Sequence, residues 1–346
     1  MSEQRLRALP QIVIGSFLML LFIIAAALNY NMAELISGSL IKFAMNGIFV
    51  LALIPMINAG VGLNFGSSVG ITAGLIGMCM AIQFRLNGIT GFLAAVIISI
   101  PIAIVFGFLY GRILNRVKGK EDIAAIFIGF AFIPLMNFFW TVAPFSNREM
   151  LYPIGGSGLR PKISLENYFV KVLDHLFIVK IGTIEAPLGL LFFYAVIALI
   201  IVAFFKTKKG KALIAIGSNE DFCKLSGLGI NSNRIVGVIL STVLAGIGIC
   251  VYAQSYGFVE LYGGPGAFAF PAVSAILVGG CTGKRATVFQ AILGTYLYQT
   301  IFLLSAPIAN TLLVPQMAEI VRMIITNGII LYAFLNQRKA GAYDEK

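Results

Sequence analysis

Residues 188–253 read LGLLFFYAVIALIIVAFF, then KTKKGKALIAIGSNEDFCKLSGLGINSNR, then IVGVILSTVLAGIGICVYA. Two apolar runs, Leu188–Phe205 and Ile235–Ala253, bracket the polar insert Lys206–Arg234. Each run is long enough to cross ~30 Å of hydrocarbon at ~1.5 Å per helical residue. Inside lipid such a run satisfies its backbone only as a helix. Within the insert, Gly210–Ile216 and Glu220–Leu228 predict two short helical pieces. Gly217-Ser218-Asn219 separates them, and Gly227 and Gly229 close the second. Ser218 or Asn219 supplies the N-cap, with Glu220 and Asp221 in the first turn, where the helix dipole favours acid. A capped helix between two spans is either a socket for another protein or a basic loop that sets topology.

The same alternation runs through the chain. Apolar runs fall at about 11–29, 40–57, 67–84, 90–111, 123–143, 187–205, 235–254, 268–280, 286–304 and 316–335. The eighth is short and glycine-flanked, and reads as broken or re-entrant. Of 346 residues 59% are hydrophobic and 11% charged, where a soluble domain carries about a quarter charged. Mean hydropathy is +0.95. The expected fold is an all-α polytopic membrane protein of about ten transmembrane helices, forming one domain over 1–346.

Alternating the spans from a cytosolic N-terminus puts 17 of the 25 Lys and Arg on the cytosolic side and 8 on the other. Five of the 8 lie in one long outer segment, 144–186. The positive-inside bias therefore predicts that both termini face the cytosol. The halves, about 11–143 and 187–335, hold five spans each. An odd number makes them run in opposite directions, as in inverted-repeat transporters. Two glycine-rich stretches fall at matching places: Asn58–Gly70, NAGVGLNFGSSVG, and Gly257–Gly266, GFVELYGGPG. They are either helix breaks with close backbone approach or ordinary membrane-helix glycine. In the outer segment, Ser164–Val179 carries an apolar stripe of Leu165, Tyr168, Phe169, Val172, Leu173 and Leu176, with Ser164 as cap. It predicts an amphipathic helix that docks a binding protein or covers the span ends.

The net charge of +11 is spread over loops and span ends, not gathered into a nucleic-acid face. Cys79, Cys223, Cys250 and Cys281 form no C-x-x-C and read as small hydrophobes; His175 is the single histidine. Arg5 and Arg7 before Ile12–Leu28 could pass for a signal peptide, but the run is long and reads as a retained first span. Gly279–Arg285, GGCTGKR, lacks a phosphate loop's first glycine and final Ser or Thr, those places holding Val278 and Arg285. This chain is thus expected to be no ATPase, to hold no metal and to bind no cofactor.

Ala215-Ile216-Gly217-x-Asn219, then Cys223-x-x-Ser226-Gly227, Ile230 and Arg234, resemble the A-x-G-x-N…A-A…S-G-I…R cytosolic loop of ABC importer permeases. The group is the ribose-permease-like one, for simple sugars, nucleosides and branched-chain amino acids. Phe222-Cys223 replaces the family's alanine pair, and Gly229 is extra. The resemblance covers about residues 40–335. Asn58–Gly70 is similar to the family's G-x-x-L-S-x-G segment, with Asn64-Phe65-Gly66 in place of its polar run, and 279–285 to its late Gly-Gly turn. It implies that Ala215, Gly217, Asn219, Glu220, Asp221 and Gly227 couple the chain to separate ABC ATPase subunits, which use the ATP. It also implies a second permease subunit, identical or related, an extracytoplasmic substrate-binding protein, and the bacterial cytoplasmic (inner) membrane.

Charge inside a span costs ~2.5–3.5 kcal/mol even on insertion scales. Glu319 and Arg322, three apart in the tenth run, read as a self-neutralised pair. The uncharged polar residues Asn46, Asn137, Gln254, Tyr296 and Gln299, with Asn64 and Phe65, are the candidates for the translocation path. Such groups suit a neutral polyol, though Asn and Gln also tie helices together. The expected function is ATP-driven import of a simple sugar. The alternatives are a nucleoside importer of the same family or an ion-coupled secondary transporter, which lacks a mid-membrane ionisable residue other than Glu319. A membrane enzyme would need a catalytic constellation that this sequence does not offer.

Overall fold

A computed structural model of the protein describes residues 3–152, 158–283 and 285–312, together with positions 320, 324 and 328. Helices α1 (Glu3–Ala27), α2 (Met32–Asn58), α3 (Ser68–Gln83), α4 (Gly88–Arg116) and α5 (Glu121–Val142) occupy the first five predicted runs. Helices α7 (Leu188–Lys206), α10 (Ile230–Tyr256), α11 (Ala269–Val278) and α12 (Val288–Leu312) occupy the next four. The polar pieces are α6 (Val172–Leu176), α8 (Lys208–Ser218) and α9 (Glu220–Leu225). Among the described residues, α2, α4, α5, α7, α10 and α12 are long and apolar enough to cross a membrane. The tenth run, with Glu319 and Arg322, lies outside the described residues apart from three helical positions.

The chain is not purely helical. Strand β1 (Lys162–Ser164) pairs antiparallel with β4 (Phe258–Glu260), and β2 (Ile178–Ile181) with β3 (Ile184–Pro187). The predicted amphipathic helix over 164–179 does not form. Ser164 belongs to β1, and its Oγ accepts the Glu166 N–H at 3.2 Å. Lys171 is left-handed, φ +50°. Gln254 takes the bonds a helix would have used: its backbone carbonyl accepts Lys171 N–H at 2.7 Å and its Oε1 accepts Leu173 N–H at 3.2 Å. The apolar positions Leu165, Phe169 and Leu173 are still buried, docked as an irregular cap.

The core is α3, held between α4 and α10. Lipid tails are as apolar as leucine, so helices associate by close packing rather than by escape from water. Cβ atoms added at Gly70 and Gly74 of α3 would collide with the carbonyls of Thr242 and Gly246 on α10. One added at Gly77 would strike the carbonyl of Ala95 on α4. Around this sandwich, α2 packs on α10 and α12, and α11 lies against α12 with Gly294 under the Ala275 carbonyl. One order of elements recurs. Helix α2, 27 residues, leads through a glycine-rich link to the short buried α3 and then to α4. Helix α10, also 27 residues, leads through another such link and a 3-10 turn (Gly264–Ala267) to the short buried α11 and then to α12.

Gly74→Leu will force α3 off α10. Overpacking costs of ~1–3 kcal/mol apply, so the detergent-purified variant is expected to melt well below the parent. Gly15→Leu, whose Cβ would meet nothing within 4 Å, is expected to leave the melting temperature unchanged.

Candidate functional site

Helices α8 and α9 form a shelf at one end of the bundle, and each start is capped by its own sequence. The Thr207 Oγ1 accepts Gly210 N–H at 3.2 Å, and the Asn219 Oδ1 accepts Phe222 N–H at 2.9 Å. Asn219, rather than Ser218, is thus the N-cap of α9. Ala215 packs beside a small core of Ile216, Cys223 and Ile230 that joins the shelf to α10. Gly227, φ +75°, ends α9 in the left-handed conformation, with Leu228 N–H on the Cys223 carbonyl at 3.0 Å.

Gly217 departs from expectation. It lies in the last turn of α8 and not in a turn between helices, and its constraint comes from within the chain. A Cβ there would sit 2.5 Å from the Asn58 carbonyl oxygen and 3.1 Å from Gly60 N. The shelf therefore rests directly on the link after α2. That link is pinned twice more. The Asn58 amide donates to the Ala286 carbonyl at 3.0 Å and accepts Ala286 N–H at 2.9 Å. The Asp122 Oδ1 accepts Leu63 N–H at 2.8 Å.

An ion cluster ties the same shelf to the turn between α4 and α5, to α5 and to α10. Lys118 Nζ meets Glu220 Oε1 at 2.6 Å, and Arg234 Nη1 meets Glu220 Oε2 at 3.1 Å. Arg234 Nη2 pairs with Glu121. The Arg234 side chain is 3% exposed and that of Glu121 12%, against 38% for Lys118 and Glu220. The hydrogen bond from Lys118 holds the Glu220 carboxyl below the usual carboxylate range, with Arg234 adding to it against partial burial. Two of these pairings, Lys118–Glu220 and Arg234–Glu121, join residues more than 100 positions apart, so no local pattern announces them. The opposite side of α9 is bare: Leu225 is 90% and Phe222 66% exposed, next to exposed Asp221.

A second site lies deeper. A cavity of about 180 Å³ opens between α2, α10, α11, α12 and the 257–268 link. Lys42, Asn46, Phe49 and Val50 line it from one stripe of α2, and Tyr298, Gln299 and Phe302 from α12. Tyr252, Glu260 and Phe268 complete the wall. The Phe268 ring stacks on Phe49 at 4.6 Å and stands edge-on to Tyr252 at 4.7 Å. Lys42 is ten residues into α2, ~15 Å along the axis.

Of the predicted path residues, the cavity gathers Asn46 and Gln299. Tyr296 lies two positions before Tyr298 on α12, outside the cavity lining, and meets Phe43 edge-on at 6.1 Å. Asn64 does not join them: it is buried, donating to Ser241 Oγ at 2.8 Å and accepting from the Tyr110 hydroxyl at 3.1 Å. Phe65 packs on Phe270 at 5.3 Å, away from the cavity. Gln254 is fully buried and spends its amide on Leu173 N–H, Asp174 and Ser255. Asn137 is half-buried on α5 and does not line the cavity. Lys42 and Glu260 are the residues missed. Lys42 reads from sequence as an outer helix-end charge, and Glu260 as part of a glycine-rich link.

The family described as "Branched-chain amino acid transport system / permease component" matches residues 35–332. The chain is 25% identical over 301 residues to the fructose import permease protein FruG of Bifidobacterium longum (strain NCC 2705), covering 85% of this chain and 82% of that protein. It is 28% identical over 129 residues to a tyrosine transport system permease protein of Clostridioides difficile (strain R20291), covering 36% of this chain and 42% of that one.

Removing one partner of a buried ion pair strands the other, at ~3–5 kcal/mol. Exposed pairs are worth ~0–1 kcal/mol. Arg234→Ala, which strands the buried Glu121, is therefore expected to lower the melting temperature sharply and Lys118→Ala barely. Equal effects of the two in thermal unfolding would contradict the burial of Arg234.

Proposed function

Because the chain belongs to the family of branched-chain amino acid transport system permease components, we propose that it is the multi-pass membrane subunit of an ATP-binding-cassette importer whose cargo is a simple sugar. The observation that carries the importer reading is the α8–α9 shelf. It is capped, locked to three helices by ions and close backbone contact, and bare on its far side. A shelf of this kind passes on a push from a partner instead of absorbing it. In this reading Leu225, Phe222 and Asp221 meet the ATPase subunit, with Asn219, Glu220 and Gly227 shaping the helix that presents them. Ala215 and Gly217 seat the shelf on the chain itself.

The finer architecture follows. Both termini are cytosolic, about ten helices cross the bacterial inner membrane, and the halves 11–143 and 187–335 are inverted repeats. The recurring order α2–α3–α4 and α10–α11–α12 supports this. Two such subunits flank the path, an extracytoplasmic protein delivers the cargo, and ATPase closure draws the 206–234 shelves together. The cavity, about halfway along α2 and α12, is the transient resting place of the cargo, as expected for transporters that bind near the bilayer midplane. Its amides and aromatic wall support a sugar, as does the likeness to a fructose import permease. An amino-acid cargo has one observation in its favour, the presence of Lys42 and Glu260 in the same cavity. Glu260, however, is already paired with Lys162 at 3.2 Å.

Co-expression with its ATPase tests the shelf. Leu225→Glu is expected to abolish co-purification of the ATPase while the melting temperature of the isolated chain stays at the parent value. In a cysteine-free background, Ser218→Cys should resist impermeant thiol reagents applied from outside and Arg160→Cys should react. Outside labelling of position 218 would overturn the reading.

A further inference from the structure

The charge in the cavity is unbalanced. Glu260 is engaged by Lys162, whereas the Lys42 ammonium has no hydrogen bond or ion pair among the described residues. An ammonium offers three donors and no acceptor, and in a low-dielectric wall it is costly without an anion. From these facts we infer that the cavity selects an acid: its ligand is a monosaccharide-sized molecule bearing a carboxylate, a sugar acid, bound with the carboxylate on Lys42. This rests on the importer reading for the ligand being cargo, and it narrows the sugar class given there.

The other walls fit the remainder of such a molecule. Gln299, which lines the cavity, is 7% exposed and its amide has no partner among the described residues, so both its donor and its acceptor are unspent. Asn46 gives its amide N–H to the Lys42 backbone carbonyl at 3.0 Å, which leaves its side-chain oxygen to accept from a hydroxyl. The Phe49–Phe268–Tyr252 cluster supplies the flat apolar surface that the C–H side of a polyol covers. A volume of about 180 Å³ equals the liquid share of about six waters, on the scale of one monosaccharide. A neutral sugar fills this space but leaves Lys42 uncompensated. A zwitterionic amino acid brings a carboxylate, but its ammonium finds Glu260 already engaged and Lys42 repelling it.

The test uses the full-length chain purified in detergent. Binding of sodium gluconate and sodium glucuronate is measured by calorimetry and thermal shift, beside glucose, fructose and tyrosine. Sodium acetate and sodium chloride at equal ionic strength control for anions in general. Charge-assisted bonds set the expected scale: the sugar acids bind about tenfold or more tighter than the neutral hexoses. Lys42→Gln removes that preference while unliganded melting stays unchanged, and Lys42→Arg keeps it. Equal binding of acids and neutral hexoses, an effect no greater than that of acetate, or tighter binding of tyrosine overturns the inference. The panel on the parent protein decides even if Lys42→Gln fails to fold. Failure of the importer reading looks different: the sugar acid binds through Lys42, yet vesicles containing the chain and its ATPase show no ATP-dependent uptake of it.

Discussion

A helix gains little by leaving lipid for another apolar helix, so this bundle is held where backbones can touch. Helix α3 shows the constraint most clearly. Its glycines at 70, 74 and 77 each face a carbonyl of a neighbouring helix with no room for a side chain. This contact sets the spacing of α4 and α10, and it brings the links at either end of α3 to fixed places. The 58–70 link then becomes a floor on which α8 can rest. The position of the shelf is thus inherited from the packing of the core.

From that floor upward, polar chemistry takes over. Asn58 behaves like a piece of backbone, pairing with both the N–H and the carbonyl of Ala286, and so joins the α2 end to the α11–α12 link. Arg234 does the corresponding work on the other flank, holding Glu121 of α5 and Glu220 of α9. Movement of α9 is therefore felt at the starts of α5 and α10 at once. The family to which the chain belongs is that of transport-system permease components. A stiff link between the shelf and the helix starts suits the coupling role proposed for it.

The helices were legible because their signal is length of apolar chain in a medium that tolerates no unpaired backbone. The cap at Asn219 was legible too, since it depends on residues three apart. Segment 164–179 was misread because an apolar stripe spaced three and four apart serves equally a surface helix and an irregular strap. Only the bonds from Gln254 decide between them. Asn64 and Gln254 could not be told from cavity-lining residues, because an amide inside a span reads the same whether it lines a cavity or ties two elements, as both do here. Lys42 was not among the path candidates for a related reason. Its distance along α2 is written in the sequence, but the helices it faces are not.

The glycine contacts also divide the molecule by stiffness. Where one backbone lies on another, as in α3 with α4 and α10, or α11 with α12, sliding meets hard atoms within a few tenths of an ångström. Those contacts resist sliding. The mouth of the cavity, by contrast, is lined by long side chains such as Lys42, Phe49, Tyr298 and Phe302, which change rotamer cheaply. The walls of the cavity are therefore the softest part of the bundle: side chains there can rearrange around an occupant without any helix having to shift or unfold.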